Sequence, residues 1–242
     1  MHECSARPGS AGEHALQDEL GTTERADRFY RDQVRSSLNE RMREFVAEQE
    51  LVFIATADAQ GECDCSLRAG PPGFVRVLGD QVLAFPDYRG NGVMASMGNA
   101  RENAHIGLLF VDFQKSRVGL HVNGSVRIFS DLEMRARWDG LPVESVPGRR
   151  AVSWLEIGVE EAYIHCSKHI PRLAKVPTVA RHWGTDDIRR KGGDWFGSAA
   201  QRKRQEQEEQ EARQRRAAGW RGGGAAGRSG APGDASAEVS RE

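Results

Sequence analysis

Apolar residues recur at helical spacing in the first part of the chain and at strand spacing from about residue 50. The helical part predicts two helices, whose apolar faces carry Ala26, Phe29, Tyr30 and Val34 in the first and Leu38, Met42, Phe45 and Val46 in the second. Ser37 and Glu40 form a capping-box pattern before the second helix. We expect both helices to cap the strand-rich region that follows.

The strand-rich region begins with the apolar run 51–57, which predicts a buried strand. Further strands are predicted by a short segment that ends near Arg68 and by the segments 74–78, 81–85, 105–113, 120–128 and 151–164. Gly79-Asp80 suits a tight turn in a hairpin. Six or seven strands with few inserted helices predict a mainly β (α+β) fold, a barrel or a sandwich.

Two short helices interrupt this pattern. The first is predicted over about 93–103, and the second opens at Ser130-x-x-Glu133 and is closed by Gly140. Farther along, residues 201–216 carry opposite charges at helical spacing, which predicts a solvated single helix. From Gly219 onward Gly, Ala and Ser dominate, a composition typical of disorder.

Composition narrows the classes of function. With 34 basic and 35 acidic residues the formal charge is −1, so no global field favours nucleic acid or an anionic membrane. No apolar run approaches the ~20 residues that span a bilayer, and the first residues lack the apolar stretch that is typical of a secretory signal. We expect a cytoplasmic protein.

The cysteines do not suggest a disulfide framework or a metal site. Cys63 and Cys65 are two apart on a predicted strand, so they point to one face and pair poorly. No second Cys-x-x-Cys or His-x-x-x-His pair completes a zinc set with His121 or His165. We therefore expect reduced thiols at all four positions, Cys4, Cys63, Cys65 and Cys166.

Residues 85–99 carry the strongest chemical signal, because they join an apolar strand to a helix through Arg89, Gly90, Asn91 and Gly92. A helix start exposes backbone N–H groups and the positive end of the helix dipole, and an arginine adds a fork of donors. This segment predicts a phosphate-binding site.

Three neighbouring motifs accompany this segment: Asp64-Cys-Ser-Leu-Arg68 with Gly70-Pro-Pro-Gly73, Gly107-Leu-Leu-Phe-Val-Asp-Phe113, and Val122-Asn-Gly124. In this order and spacing the motifs resemble the pyridoxamine 5'-phosphate oxidase-related family of FMN-binding split barrels, over roughly residues 40–172. The resemblance implies a split β-barrel with flanking helices and an FMN cofactor. It is closer to the wider superfamily than to the vitamin B6 oxidase itself.

The resemblance also implies a set of cofactor-binding residues. Ser66 and Arg68 would lie along the ribityl chain and phosphate, and Arg89 and Asn91 would bind the phosphate. Because a phosphate dianion needs fixed positive charge in planar geometry, Arg68 and Arg89 are the leading candidates. The remaining expected cofactor contacts are Leu67, Asp87, Tyr88, Ser96, Asn99 and Arg117.

Four residues are candidates for the substrate side of the cleft: two lie at or after the end of the central strand, 105–113, and two lie at the end of the barrel. Asp112 and Lys115 come after the central strand, where related proteins place groups against the flavin or the substrate. His165 and Lys168 belong to His165-Cys-Ser-Lys168, which resembles an element that faces the cleft in several relatives. No catalytic residue is assigned, and a Cys-His nucleophile is disfavoured because adjacent strand residues point to opposite faces.

Taken together, these features predict an FMN-dependent oxidoreductase in which hydride passes through flavin N5 and the substrate is an unknown small molecule. Two alternatives stay open: a flavin-binding carrier or sensor without turnover, and a deazaflavin (F420)-dependent reductase on the same barrel. Haem handling is disfavoured because the seven histidines show no axial-ligand spacing. Since the family builds its cleft from two chains, a homodimer is expected, with neither nucleic acid nor membrane as a partner.

The chain divides as follows. We predict a disordered N-terminus over 1–22, an FMN-binding split-barrel domain with N-terminal helices over 23–172, a C-terminal arm over 173–200, and a charged helix with a disordered tail over 201–242. Trp183, Trp195 and Phe196 suggest that the arm packs against the body or a partner.

Overall fold

A computed structural model describes residues 7–176 and 182–222 of the 242-residue chain. It comprises two compact units, and the boundary between them falls between Thr185 and Asp186. The first unit holds the strands and the candidate site. No helix in the described ranges is long and apolar enough to cross a membrane.

Seven antiparallel strands form one sheet in the order β2-β1-β5-β6-β7-β4-β3. Their bounds are β1 Leu51–Ala57, β2 Cys63–Ala69, β3 Arg76–Val77, β4 Val82–Tyr88, β5 His105–Val111, β6 Gly119–Phe129 and β7 Ala151–His165. The predicted strand count is confirmed, although β3 is only two residues long.

One hydrophobic core joins strands that are distant in this order. Ile54 of β1 and Phe85 of β4 belong to the same buried cluster, together with Leu108 of β5 and Ile157 of β7. Because β1 and β4 lie near opposite ends of the sheet, the sheet curls round the cluster instead of lying flat. This is the split-barrel architecture that the resemblance implied.

A register shift between Asn123 and Gly124 bends β6 against β7. A Cβ on Gly124 would collide with the Gly158 carbonyl group, so only glycine allows the two backbones to approach here. This contact explains why a glycine follows Asn123 in the Val122-Asn-Gly124 motif.

Six α-helices surround or follow the sheet. They are α1 Ala11–Glu19, α2 Thr23–Gln33, α3 Glu40–Glu48, α4 Ala95–Glu102, α5 Asp131–Arg137 and α6 Ser198–Gly222, and two short 3₁₀ helices lie at Ser167–His169 and Ile188–Lys191. The predicted capping box of α5 is confirmed, since the Ser130 side chain accepts from the Glu133 N–H and the Glu133 carboxylate accepts from the Ser130 N–H. α5 covers a second, smaller apolar cluster centred on Met134 and Trp154.

Helix α1 corrects the expectation of disorder over residues 1–22 for the part that the structure describes. Ser10 and Glu13 form a capping box, with the Ser10 N–H donating to Glu13 Oε2 at 2.6 Å. Gln17 Nε2 donates to the Tyr30 hydroxyl at 2.7 Å, which ties α1 to α2. Local capping and polar contacts therefore order a segment that buries no side chain. Residues 1–6 lie outside the described ranges.

The start of α3 also differs from the expectation. Asn39, not Ser37, is its N-cap, since Asn39 Oδ1 accepts from the Met42 N–H at 2.9 Å. The reason is tertiary: Leu38 is buried, and its N–H donates to the Asp80 carbonyl oxygen at 2.7 Å. This contact holds the chain extended up to Asn39.

The second unit contains α6, the charged helix that the sequence predicts. The helix reaches Gly222, so the predicted disorder from Gly219 begins too early, while residues 223–242 lie outside the described ranges. Trp195 and Phe196, just before α6, are 85% and 91% exposed.

Candidate functional site

A cleft of about 720 Å³ opens between β2, the end of β4 and the start of α4, with Trp183 on one side. It contains most of the predicted cofactor residues, although these come from three separate segments. The predicted residues that line it are Ser66, Leu67, Arg68, Asp87, Tyr88, Asn91 and Ser96.

The alternation of β2 places its polar side chains in the cleft. Asp64, Ser66 and Arg68 occupy every second position and pair across the sheet with residues that are buried in β1. Cross-strand partners share one face of a sheet, so these polar residues point to the inner side of the barrel edge. Asp64 was not among the predicted site residues, although its period-two spacing from Ser66 is a signal that sequence reasoning could have used.

Arg68 is the cationic centre of the cleft. Its Nη1 donates to Ser66 Oγ at 2.7 Å, and its Nε lies 3.3 Å from Asp87 Oδ1 in an ion pair. The Arg68 and Asp87 side chains are only 20% and 10% exposed. Nε is buried and has no hydrogen-bond partner among the described residues. Burial raises the pKa of Asp87, and the guanidinium of Arg68 partly offsets this shift.

The first turn of α4 forms the opposite wall of the cleft. Met94 takes the left-handed conformation at the N-cap, with φ 59°, and no side chain caps the turn. Ser96 Oγ donates to Asp64 Oδ2 at 2.7 Å, which joins α4 to β2. The cleft thus combines an uncapped helix start and one guanidinium with two carboxylates.

Tyr88 and Trp183 make an aromatic wall. Their rings meet edge to face, with centroids 5.0 Å apart. The pKa of Tyr88 is raised, first by burial and then by the nearby carboxylate of Glu144. Sequence reasoning placed Trp183 only in a packing arm, because no local motif connects it to β4, which is nearly a hundred residues away.

Three predicted cofactor residues do not line the cleft. Arg89 Nη1 instead donates to the Gly184 carbonyl oxygen at 3.5 Å. Asn99 Nδ2 donates to Thr56 Oγ1 at 3.2 Å, inside the barrel. Arg117 lies in the turn between β5 and β6, with φ 52°. The structure therefore brings only one of the two leading arginine candidates to the cleft.

Asp112 and Lys115 lie in the turn between β5 and β6 and do not line the cleft. The Asp112 carboxylate accepts from three backbone N–H groups and from the Ser116 hydroxyl. These hydrogen bonds outweigh partial burial and lower the pKa of Asp112 to about 2. Lys115 Nζ lies 3.4 Å from Glu48. Within one chain, both groups stabilise the turn and its surroundings.

His165 and Lys168 lie at the end of β7 and in the following 3₁₀ helix, also away from the cleft. His165 Nδ1 is 2.9 Å from His121 Nε2, and the His121 ring stacks on Tyr163 with centroids 4.7 Å apart. Burial, and then the neighbouring His165, lowers the pKa of His121. Sequence reasoning missed this histidine pair because the two residues are 44 positions apart.

The described cysteines Cys63, Cys65 and Cys166 are exposed free thiols, while Cys4 lies outside the described ranges. Among the described residues, no group of three or more His, Cys, Asp or Glu side chains is arranged to hold a metal ion.

Comparison with known proteins gives one family and several structural likenesses. The family model described as pyridoxamine 5'-phosphate oxidase matches residues 38–166, just over half of the chain. No curated protein matches the chain.

Three solved structures illustrate the range of similar proteins. An FMN-binding protein from Syntrophomonas wolfei is 15% identical, with 64% of this chain and 97% of that chain covered and a TM-score of 0.36. The heme storage protein HutZ from Vibrio cholerae is 16% identical, with 53% and 93% covered and a TM-score of 0.35. An F420 reductase is 20% identical, with 50% and 94% covered and a TM-score of 0.33. At these values the likenesses add nothing to the family match.

Proposed function

The chain belongs to the pyridoxamine 5'-phosphate oxidase family, and from this premise we propose that the cleft binds FMN and that the protein is an FMN-dependent oxidoreductase acting on a small molecule. The observation that carries the proposal is that the Arg68 guanidinium and the uncapped start of α4 line the same cleft. Both features attract an anion, and the family supplies its identity.

The donors of the cleft fit a phosphate group. Arginine offers parallel N–H donors to phosphate oxygens, and a helix start without a side-chain cap presents backbone N–H groups and a positive dipole end. Gly92 precedes this turn at φ 86°, and a Cβ there would meet nothing within 4 Å, so the backbone stays open to a ligand.

The acceptors of the cleft fit the hydroxyl groups of a ribityl chain. Asp64 and Asp87 are carboxylates, which accept hydrogen bonds and donate none while ionised. A bare phosphate would be repelled by them, whereas a ligand that carries both a phosphate and several hydroxyls uses both kinds of group. This balance favours FMN over inorganic phosphate.

When bound, FMN supplies a ring that accepts hydride at N5 and returns the electrons to oxygen or another acceptor. The protein's residues bind and orient it: Arg68 and the α4 start would hold the phosphate, and Ser66 and Asp64 the ribityl chain. Tyr88 and Trp183 would shield the cleft from water.

We also propose that the working unit is a homodimer formed through the outer face of the sheet. Cross-strand register aligns one row of side chains over five strands, and its members are Leu67, Phe53, Leu109, His121 and Tyr163. Leu67 is 53% exposed and also lines the cleft, so a second copy docked on this row would lie beside the cofactor. No nucleic acid or membrane partner is proposed.

The test begins with the absorbance spectrum of the purified protein. Bound FMN gives a yellow protein, and denaturation should release one FMN per chain. Anaerobic NADH or NADPH should then bleach the flavin if a nicotinamide is the electron donor. Arg68→Met should release FMN and leave the dimer intact by size-exclusion chromatography with light scattering.

The other outcomes separate the remaining functions. A yellow protein that no donor reduces favours a flavin-binding carrier or sensor. A protein that binds a deazaflavin in preference to FMN favours a reductase that uses that cofactor. Full flavin content in Arg68→Met overturns the site assignment.

A further inference from the structure

Two backbone segments that pack closely at glycines support the aromatic wall formed by Tyr88 and Trp183. Gly148 and Gly184 both have positive φ, 78° and 62°. A Cβ on Gly184 would lie 2.8 Å from the Gly148 carbonyl oxygen and 2.9 Å from its Cα, and a Cβ on Gly148 would collide with the Trp183 carbonyl oxygen. Neither position can accept a larger residue without separating the segments.

Charged groups make one of these segments rigid. Arg149 forms two hydrogen bonds with the carboxylate of Glu144, at 2.5 and 2.7 Å, and the Val146 N–H also donates to Glu144, at 3.1 Å. The Arg149 and Glu144 side chains are only 19% and 20% exposed. The loop 144–149 is therefore closed on itself by a bidentate ion pair.

The same arginine reaches the second segment. The Arg149 guanidinium lies over the Trp183 ring, 5.4 Å from its centroid, at cation–π distance. Trp183 also meets Tyr88 edge to face, and Arg89 Nη1 donates to the next carbonyl oxygen, that of Gly184. Trp183 is thus held by contacts with the loop and with the end of β4.

We infer that the loop 144–149 and the segment 182–185, together called the latch, hold Trp183 as a wall of the cleft and thereby control the exchange of the bound cofactor. The inference rests on the proposed FMN site. The latch lies outside the cleft's anion-binding groups, so opening it should change how fast FMN leaves more than whether it binds.

Gly148→Ala is the sharpest perturbation, because the new methyl group collides with the Trp183 carbonyl. Gly140→Ala is a matched control: Gly140 also has positive φ, 71°, but a Cβ there meets nothing within 4 Å. The two variants share the backbone strain of an alanine at positive φ, and only the first separates the latch.

Two readouts in the full-length protein test the inference. Hydrogen–deuterium exchange, measured without FMN, should show faster exchange for residues 182–185 in Gly148→Ala than in Gly140→Ala or the wild type. Stopped-flow release of FMN into excess apoflavodoxin should be about tenfold faster in Gly148→Ala, a change equivalent to about 1.4 kcal/mol. Trp183→Ala should speed release to a similar degree.

Unchanged exchange at 182–185 in Gly148→Ala overturns the latch itself, whether or not the protein binds FMN. Faster exchange with unchanged FMN release in both Gly148→Ala and Trp183→Ala overturns its control of the cofactor. A wild-type protein that takes up no FMN contradicts the proposed function and, with it, the control of cofactor exchange, while the exchange data alone still decide whether the latch exists. If Gly148→Ala does not fold, Trp183→Ala decides the question of FMN release.

Discussion

The Arg68–Asp87 pair gives a quantitative test that does not require the cofactor. At 3.3 Å between Nε and Oδ1, two unit charges at an effective dielectric of about 20 attract by roughly 5 kcal/mol, before desolvation is counted. Removing one member of a fully buried pair costs about 3–5 kcal/mol, because the other charge is left buried. Since these side chains are 20% and 10% exposed, we expect Arg68→Met to lower the unfolding free energy by about 2–3 kcal/mol at pH 7.

Asp87→Asn should cost less, about 1 kcal/mol, because Arg68 keeps its hydrogen bond to Ser66 Oγ and no unpaired carboxylate remains buried. The double variant should lose less than the sum of the single variants, by about 1–2 kcal/mol. Urea unfolding of the cofactor-free protein, followed by circular dichroism, measures all three losses. Strict additivity would refute the reasoning.

The loss of stability in Arg68→Met should be larger at neutral pH than at acidic pH. Burial already raises the folded-state pKa of Asp87 above its ordinary value of 3.8, and without Arg68 it should rise further. The ionised carboxylate is therefore the unfavourable form in the folded state. The destabilisation by Arg68→Met should be full at neutral pH and should shrink as the pH falls through the folded-state pKa toward 3.8. A loss that is equal at pH 7 and pH 4 would contradict this account.

Three further perturbations test other parts of the fold. The folded-state pKa of His121 is lowered from 6.5, so the unfolded chain takes up this proton at a higher pH and the stability should fall as the pH drops below 6.5. His121→Gln should flatten this part of a curve of Tm against pH. An unchanged slope would contradict the prediction. Asp112→Ala should lower the unfolding free energy by about 1 kcal/mol at pH 7, because solvent screens this partly exposed carboxylate, and the loss should fade as the pH falls from 3.8 to about 2; a loss in urea unfolding that is independent of pH would contradict this. Gly124→Ala should lower the unfolding free energy by about 1–3 kcal/mol because its methyl group collides with the Gly158 carbonyl group. Wild-type stability in this variant would show that the β6–β7 backbone shifts to accept the methyl group.

Local sequence patterns predicted the parts of the fold that local physics decides. Alternating apolar positions marked the strands, and Ser130 with Glu133 marked the start of α5, because each signal lies within a few residues of its effect. Ser66 and Arg68 were predicted from the family resemblance and not from periodicity, and the alternation of β2 places both on the face that lines the cleft.

The features that were missed depend on contacts between distant segments. Arg89 follows a strand, and its direction is set by the Gly184 carbonyl, 95 residues away, which no local pattern reports. Trp183 reaches the cleft only because Gly148 and Gly184 let two backbones cross. The N-cap of α3 is Asn39 and not the predicted Ser37, because the Leu38 N–H donates a hydrogen bond to the Asp80 carbonyl oxygen.

The central claim is that the cleft binds the phosphate of FMN through Arg68. Isothermal titration of the cofactor-free protein with FMN and with riboflavin, which lacks the phosphate, tests it most directly. We predict that the wild type binds FMN at least about tenfold more tightly than riboflavin, a difference of about 1.4 kcal/mol, and that Arg68→Met loses this preference. Equal affinity for the two ligands in the wild type, or an unchanged preference in Arg68→Met, would contradict the account.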